Sequence, residues 1–186
     1  MKYLFPLAIL VTLVSLQSCS GNRAQKPIEV LREAAQAPDA KIGSENFRFD
    51  LPSGWYRIDT ILEGNKVTFI TKNNPDKFRP MINVTNESMR NKAHETYVAG
   101  NKANWINSVT GIHFLDEGRF DVSGKTCIWF SYNNRQSKIA RDAVYYSIDN
   151  NGISCNITAA VMPGGLPKYK QTFDRIVQSF RTAYGK

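Results

Sequence analysis

The chain has 186 residues, with 24 Lys and Arg against 16 Asp and Glu, for a formal charge of +8 at pH 7. That length holds one ordinary domain with a short extension. The charge favours anionic partners: lipid headgroups, phosphorylated glycans, acidic proteins or nucleic acid. Its longest charge-free apolar run, Tyr3 to Val14, falls short of the ~20 residues that a membrane-spanning helix requires.

Lys2, that apolar run and the small-residue segment Leu16-Gln17-Ser18-Cys19 follow the charged, apolar, cleavable order of a secretory signal. A signal that ends on Cys resembles a bacterial lipoprotein leader, with residues 1–18 removed and Cys19 becoming the lipidated first residue. Leu16 and Ser18 fit that pattern, and Gln17 stands where a smaller residue is usual. The resemblance implies diacylglycerol on the Cys19 sulfur and a further acyl chain on its amine. Two or more chains anchor stably where one does not. Ser20, with no acidic cluster after it, implies by the sorting rules of such proteins an outer-membrane position facing the periplasm. A plain secretory signal cleaved elsewhere is the alternative. Either leader removes the chain from the cytoplasm, and with it a nucleic-acid role. Without Lys2 the charge of the processed chain is +7.

Residues 19–44 read as the lipidated Cys and a tether. Pro27 and Pro38 bracket a helix-favouring segment, Ile28 to Ala37, with no long apolar stripe, so any helix there is marginal. Fully extended, residues 20–44 reach roughly 80 Å.

The domain, 45–186, opens on Phe47 and Phe49 alternating with Arg48 and Asp50, a half-buried strand before the turn Leu51-Pro52-Ser53-Gly54-Trp55. A second hairpin is expected from Tyr56 to Lys72 around Glu63-Gly64-Asn65, and a short strand at 81–86. Val98, Trp105, Ile106 and Val109 then fall on one helical face over 93–109, and Gly111 is placed to end the helix. Four strands follow, near 113–121, 125–133, 140–149 and 153–161. Asn151-Gly152 is the strongest short hairpin signal among their turns. A two-residue turn there pairs Ile148 with Cys155, Tyr146 with Ile157 and Val144 with Ala159. All six share one face, and Ser154, Asn156 and Thr158 take the other. With strand 125–133 on the far side of 140–149, Cys127 and Cys155 lie two strand spacings apart, about 9–10 Å, beyond the ~7 Å Cα reach of a disulfide. Two buried free thiols are expected. The last helix begins at Pro167 and carries Tyr169, Phe173, Ile176, Val177 and Phe180 on one stripe, with Lys168, Lys170, Arg175 and Arg181 opposite.

The order of four strands, helix, four strands and helix gives an α+β protein: a single antiparallel sheet of seven or eight strands with two main helices packed on it. Three landmarks, Phe49-Asp50-Leu51-Pro52-Ser53-Gly54-Trp55, the helix before a meander, and the ending Phe173 to Ser179-Phe180-Arg181, resemble the PsbP/Mog1-like domains, including those of bacterial envelope lipoproteins. The resemblance covers about residues 45–183. It implies a non-catalytic accessory or binding role. No functional residue transfers from it, since the matched positions are core and turn residues.

Chemistry is scarce. His94 and His113 are the only histidines, neither with a Ser or Cys partner identifiable in the sequence, and His94-Glu95 is no natural chelate pair. No metal and no cofactor is expected, and no catalytic residue is assigned. Met162 to Pro167 leads into the last helix without phosphate-loop spacing, and two prolines remove donors. One segment suits a partner: Arg135, Lys138 and Arg141 make a basic hairpin tip, with Trp129, Tyr132 and Tyr145 on its strands. Core packing accounts equally well for the aromatics. The expected function is a membrane-anchored envelope protein that binds an envelope protein or anionic component without chemistry. The alternatives are an envelope hydrolase using carboxylates such as Asp50 or Asp116, and a carrier with a small molecule between helix 93–109 and the sheet.

Overall fold

A computed structural model describes residues 47–62, 64–72, 79–136 and 140–182. Cys19, the tether with its candidate helix, and Lys138 lie outside the described residues. Nine strands and two helices follow in the order β1 (Phe47–Arg48), β2 (Trp55–Leu62), β3 (Asn65–Lys72), β4 (Met81–Ser88), α1 (His94–Ser108), β5 (Ile112–Val122), β6 (Lys125–Asn134), β7 (Arg141–Asn150), β8 (Ile153–Val161), α2 (Leu166–Gln178) and β9 (Arg181–Thr182).

Strands β2 to β8 form one antiparallel sheet in the order β2-β3-β4-β8-β7-β6-β5. The Asn151-Gly152 turn sets the expected register: Asn150 pairs with Ile153, Ile148 with Cys155, Tyr146 with Ile157 and Val144 with Ala159. Asn151 and Gly152 both have positive φ, 56° and 83°, as the turn type favoured in tight hairpins requires. Cys127 pairs with Ile148, and Ile148 with Cys155, so β7 separates the two thiols. Both are free and buried. Burial pushes both thiols well above the ordinary range, leaving them protonated and unreactive.

The opening strand departs from expectation. The Phe47 segment does not form a hairpin with β2; it pairs with β9 at the far end of the domain, Phe47 against Thr182 and Arg48 against Arg181. The reason is aromatic: Phe47 packs on Phe49 and Phe180 at centroid distances of 5.2 and 6.1 Å. The end of α2 therefore supplies the surface that strand needs, and the domain closes on its own termini.

The helices lie on opposite faces of the sheet. On one face α2 buries Phe173, Ile176 and Val177 against Ile82, Val84, Val144, Tyr146, Ile148 and Ile157, all at 0–1% exposure. At about 25 cal/mol per Å2 of apolar surface, each such side chain contributes roughly 1.5–3 kcal/mol. On the other face α1 covers Phe130, Tyr132, Ala143 and Tyr145. Its stripe is rotated from the expected one. Tyr97 and Val98 are buried and Trp105 packs inward, whereas Ile106 is 59% exposed.

Candidate functional site

The polar face of β8 and β7 explains that rotation. Seen from α1, Ser147, Ser154 and Asn156 form a ladder inside the sheet, with Tyr145 beside it. Ser147 Oγ lies 2.7 Å from Ser154 Oγ, Ser154 donates to Asn156 Oδ1 at 2.6 Å, and Tyr145 donates to the same oxygen at 2.6 Å. Helix α1 closes the network from above. Asn156 Nδ2 donates to the Tyr97 hydroxyl at 2.8 Å, Tyr97 donates to Glu87 Oε2 at 2.7 Å, and Asn101 donates to the Tyr145 hydroxyl at 3.3 Å. At the start of the helix His94 Nε2 meets Ser147 Oγ at 2.8 Å. A buried hydroxyl without a partner costs about 1–3 kcal/mol, so these bonds act with the apolar contacts of Val98 and Trp105 to fix how α1 sits.

His94 thus has the serine partner that the sequence did not reveal. Its pKa is lowered by burial, against the opposing charges of Asp149 and Glu95. Ser147 has no exposed surface, so its hydroxyl is held inside the sheet rather than presented to a substrate. Burial also raises the pKa of Tyr97, and that of Tyr145 still further. The ladder was half visible in the sequence, because the hairpin register already put Ser154, Asn156 and Thr158 on one face. What no spacing rule shows is which helix crosses that face.

The space between α1 and the sheet is filled by the protein's own rings. Trp105 sits edge-on to Phe130, Tyr132 and Tyr145 at 5.5, 5.2 and 5.3 Å, and Lys102 Nζ lies 4.9 Å from the Phe114 ring centroid. A carrier site there would have to displace this layer. Burial pushes the Tyr132 hydroxyl up to about 12, and Tyr132 and Tyr145 belong to the core rather than to a surface beside the basic tip.

Trp129 faces the other side. Gly118, its partner on β5, lies close under the indole: a Cβ there would be 3.0 Å from the ring, so the Trp129 side chain would have to give by a few tenths of an ångström. Lys170 Nζ stacks 4.0 Å from the Trp129 centroid and bonds Asp174 at 2.8 Å. Lys170 therefore belongs to the flank of α2 that touches the sheet, not to the exposed basic face, where Lys168 and Arg175 remain.

Arg135 and Arg141 flank the tip of the β6–β7 hairpin, and they differ. Arg135 Nη2 is 2.6 Å from the buried carboxylate of Asp142, an ion contact outside good hydrogen-bond alignment, and Nη1 donates to the Arg141 carbonyl at 3.3 Å. The other Asp142 oxygen accepts the Gly164 N–H at 2.6 Å. A carboxylate of the chain itself thus takes a donor of the Met162–Pro167 loop, leaving that loop less able to hold a foreign anion. Asp50 and Asp116 are not brought together. The Asp50 N–H bonds Ser179 at the end of α2, while Asp116 sits at the bulge of edge strand β5, about 20 Å along that strand from the Val122 end that adjoins Phe180. Among the described residues no three His, Cys, Asp or Glu side chains converge as a metal site, and no helix is long and apolar enough to cross a membrane.

A seven-stranded antiparallel sheet with one helix on each face and its termini paired on the α2 side defines the class: an α+β domain with the PsbP-like fold. The similar solved structures include cyanobacterial PsbP (CyanoP) from Synechocystis sp. PCC 6803, at 15% identity and TM-score 0.55, covering 74% of this chain and 87% of that one. LpqN of Mycobacterium tuberculosis, described as involved in cell envelope biogenesis, is 10% identical with TM-score 0.56, covering 73% and 82%. A Pseudomonas aeruginosa protein of unknown function, PA94, is 11% identical with TM-score 0.55, covering 67% and 95%. No protein-family model matches the chain, and no curated protein matches its sequence. At these identities the likeness is one of fold.

Proposed function

We propose that this chain is a bacterial lipoprotein of the cell envelope, anchored through acyl chains on Cys19, whose folded domain binds an envelope protein or anionic component without catalysing a reaction. The observation that carries the reading is the leader, Lys2 and the apolar run ending at Leu16-Gln17-Ser18-Cys19. A fold shared with LpqN, described as involved in cell envelope biogenesis, supports an envelope setting. The buried thiols and the enclosed Ser147 hydroxyl support a binding role over a catalytic one. The sorting pattern after Cys19 favours the periplasmic side of an outer membrane.

The contact surface is assigned to the basic tip carrying Arg135, Lys138 and Arg141. The test combines two variants. Cys19→Ala should abolish incorporation of a labelled fatty acid and release the chain from membranes; retention with label would refute the anchor. Alanine at Lys138 and Arg141 should weaken partner recovery from crosslinked membranes, and unchanged recovery would remove the tip from the surface. A second reading, an envelope hydrolase, is favoured by one contact, His94 to Ser147 at 2.8 Å. Covalent labelling of Ser147 by a serine-directed probe in the folded chain would establish it.

A further inference from the structure

One end of the sheet is built differently from the rest of the surface. The turns β2–β3, β5–β6 and β7–β8 all fall there, because Asn86, Cys155, Ile148 and Cys127 lie at one level across the register and Thr68, three residues after the β2–β3 turn, pairs with Val84 just below it. Three of the six large exposed apolar side chains among the described residues sit on these tips: Ile61 at 46%, Leu62 at 38% and Ile153 at 45% exposure. Soluble surfaces carry single exposed apolar residues, but their concentration on adjacent turn tips calls for a partner.

Basic residues share this end of the domain. Lys66, Arg90, Arg48 and Arg181 are exposed and Lys125 is half-buried. The nearby carboxylates keep their charge while each accepts a hydrogen bond, Asp121 from the Gly124 N–H, Asp149 from the Gly152 N–H and Glu87 from Tyr97. With Glu63 between β2 and β3 they make four against the five cations. Arg90 is displayed at a conformational cost. It has φ 53° and its neighbour Asn91 φ 60°, in a turn closed by the Lys92 N–H bonding the Met89 carbonyl, and the Met89 N–H in turn bonds Gly152 of the β7–β8 turn. A left-handed arginine is uncommon where Asn or Gly would be easier.

The chain also enters the domain at this end. Arg48 of β1 pairs with Arg181, whose guanidinium donates to Ser123 in the β5–β6 turn at 3.0 Å. The segment carrying Cys19 therefore joins the fold beside these tips, with 27 residues between Cys19 and Phe47. That length reaches at most ~90 Å and allows the end to touch the bilayer that holds the acyl chains.

We infer that the domain docks on the anionic surface of a phospholipid bilayer through this end, inserting Ile61, Leu62 and Ile153 among the headgroups while Lys66, Arg90, Lys125 and Arg181 meet lipid phosphates. The inference rests on the lipoprotein reading for its supply of a nearby membrane. Headgroup contacts by basic residues strengthen binding about fivefold each, and salt screens them within a Debye length of ~8 Å. The tether makes the encounter intramolecular, so weak contacts suffice.

The test places an environment-sensitive fluorophore on single cysteines introduced at Ile61, Ile153 and, at the opposite end, Met162, in the full chain on vesicles of phosphatidylcholine with and without phosphatidylglycerol. Docking predicts that labels at 61 and 153 shift to the blue and are quenched by lipid-borne quenchers only with the anionic lipid, while the label at 162 stays in water. A chain held on vesicles with all three labels in water overturns the inference and leaves the acyl anchor standing. The Cys19→Ala chain separates the two claims, since docking predicts that it binds anionic vesicles weakly with labels 61 and 153 still immersed. Ile61→Glu with Ile153→Glu should lower that binding roughly tenfold or more. Arg90→Asn should lower it several-fold while the fold keeps or gains stability, a split that misfolding cannot produce. Immersion that requires an added protein rather than lipid counts against the bilayer as the occupant.

Discussion

The two faces of the sheet are made by the same strands and hold together for different reasons. Under α2 the contacts are apolar and enclosed: Phe173, Ile176 and Val177 meet Ile82, Ile148 and Ile157 with no exposed area. Under α1 the contacts are directional, a chain of hydroxyls and amides from His94 through Ser147, Ser154 and Asn156 to Tyr97 and Glu87. Apolar packing tolerates small shifts, whereas a buried hydrogen-bond chain admits one arrangement. The α2 face is therefore the source of stability, and the α1 face the source of a unique helix placement. That division leaves the surface, and the turn tips in particular, free to serve binding.

The comparison is broken most severely at Phe173. It lies between Trp55 and Tyr169, with ring centroids 6.1 Å from each. Phe173→Ala should cost about 3–5 kcal/mol in urea unfolding, as large-to-small changes in closed cores do. Asn156→Ala strikes the other face. It leaves the Tyr97, Tyr145 and Ser154 hydroxyls short of a partner and should cost about 1–3 kcal/mol. Near-neutral behaviour at Asn156 would mean that the ladder does not position α1. Smaller again is Arg135→Ala, which uncovers the buried Asp142 carboxylate and should cost about 1–2 kcal/mol, whereas Arg141→Ala should stay within about 0.5 kcal/mol. Equal effects would erase the distinction between an arginine that holds the hairpin and one free to bind.

The smallest effect is a pH dependence at His94. Burial holds its folded pKa below the unfolded value of 6.5. The unfolded chain then binds more protons between the two values, so stability is complete above about pH 6.5, declines as the pH falls toward the folded pKa, and levels off beneath it. His94→Gln should flatten that decline, as measured by melting temperature across pH 4–8. A decline of the same size in the variant would place its origin elsewhere.

Elements with one dominant period were legible in the sequence. The α2 stripe from Tyr169 to Val177 and the hairpin pairing set by Asn151-Gly152 appear in the structure as read, down to the separation of Cys127 from Cys155. The helix, however, stops at Gln178, so Phe180 packs from beyond its end, and Lys170 leaves the basic face for Trp129. Along α1 Val98 and Trp105 face the sheet as read, but Ile106 does not, because the stripe Val98, Trp105, Ile106, Val109 supposes a purely apolar seam. Tyr97 and Asn101 instead follow hydrogen bonds to Glu87, Asn156 and Tyr145. The partner of β1 was missed for a related reason: two residues carry no register, and only the Phe47–Phe180 contact shows where they go. At the candidate surface, residue types marked the basic tip, but not that Asp142 would engage Arg135. The turn-tip end is a product of topology, since Ile61 and Leu62 lie far from Ile153 in sequence and come to the same end of the sheet only through the strand order β2-β3-β4-β8.

The account depends most on Cys19, because the anchor and the tether follow from it and the docking end relies on the membrane it supplies. The direct measurement is the mass of the N-terminal peptide from chain extracted out of bacterial membranes. The expected result is a peptide that begins at Cys19, lacks residues 1–18 and carries the added mass of a diacylglycerol with a further acyl chain. A peptide that begins at Met1, or at another cleavage point with Cys19 unmodified, would contradict it.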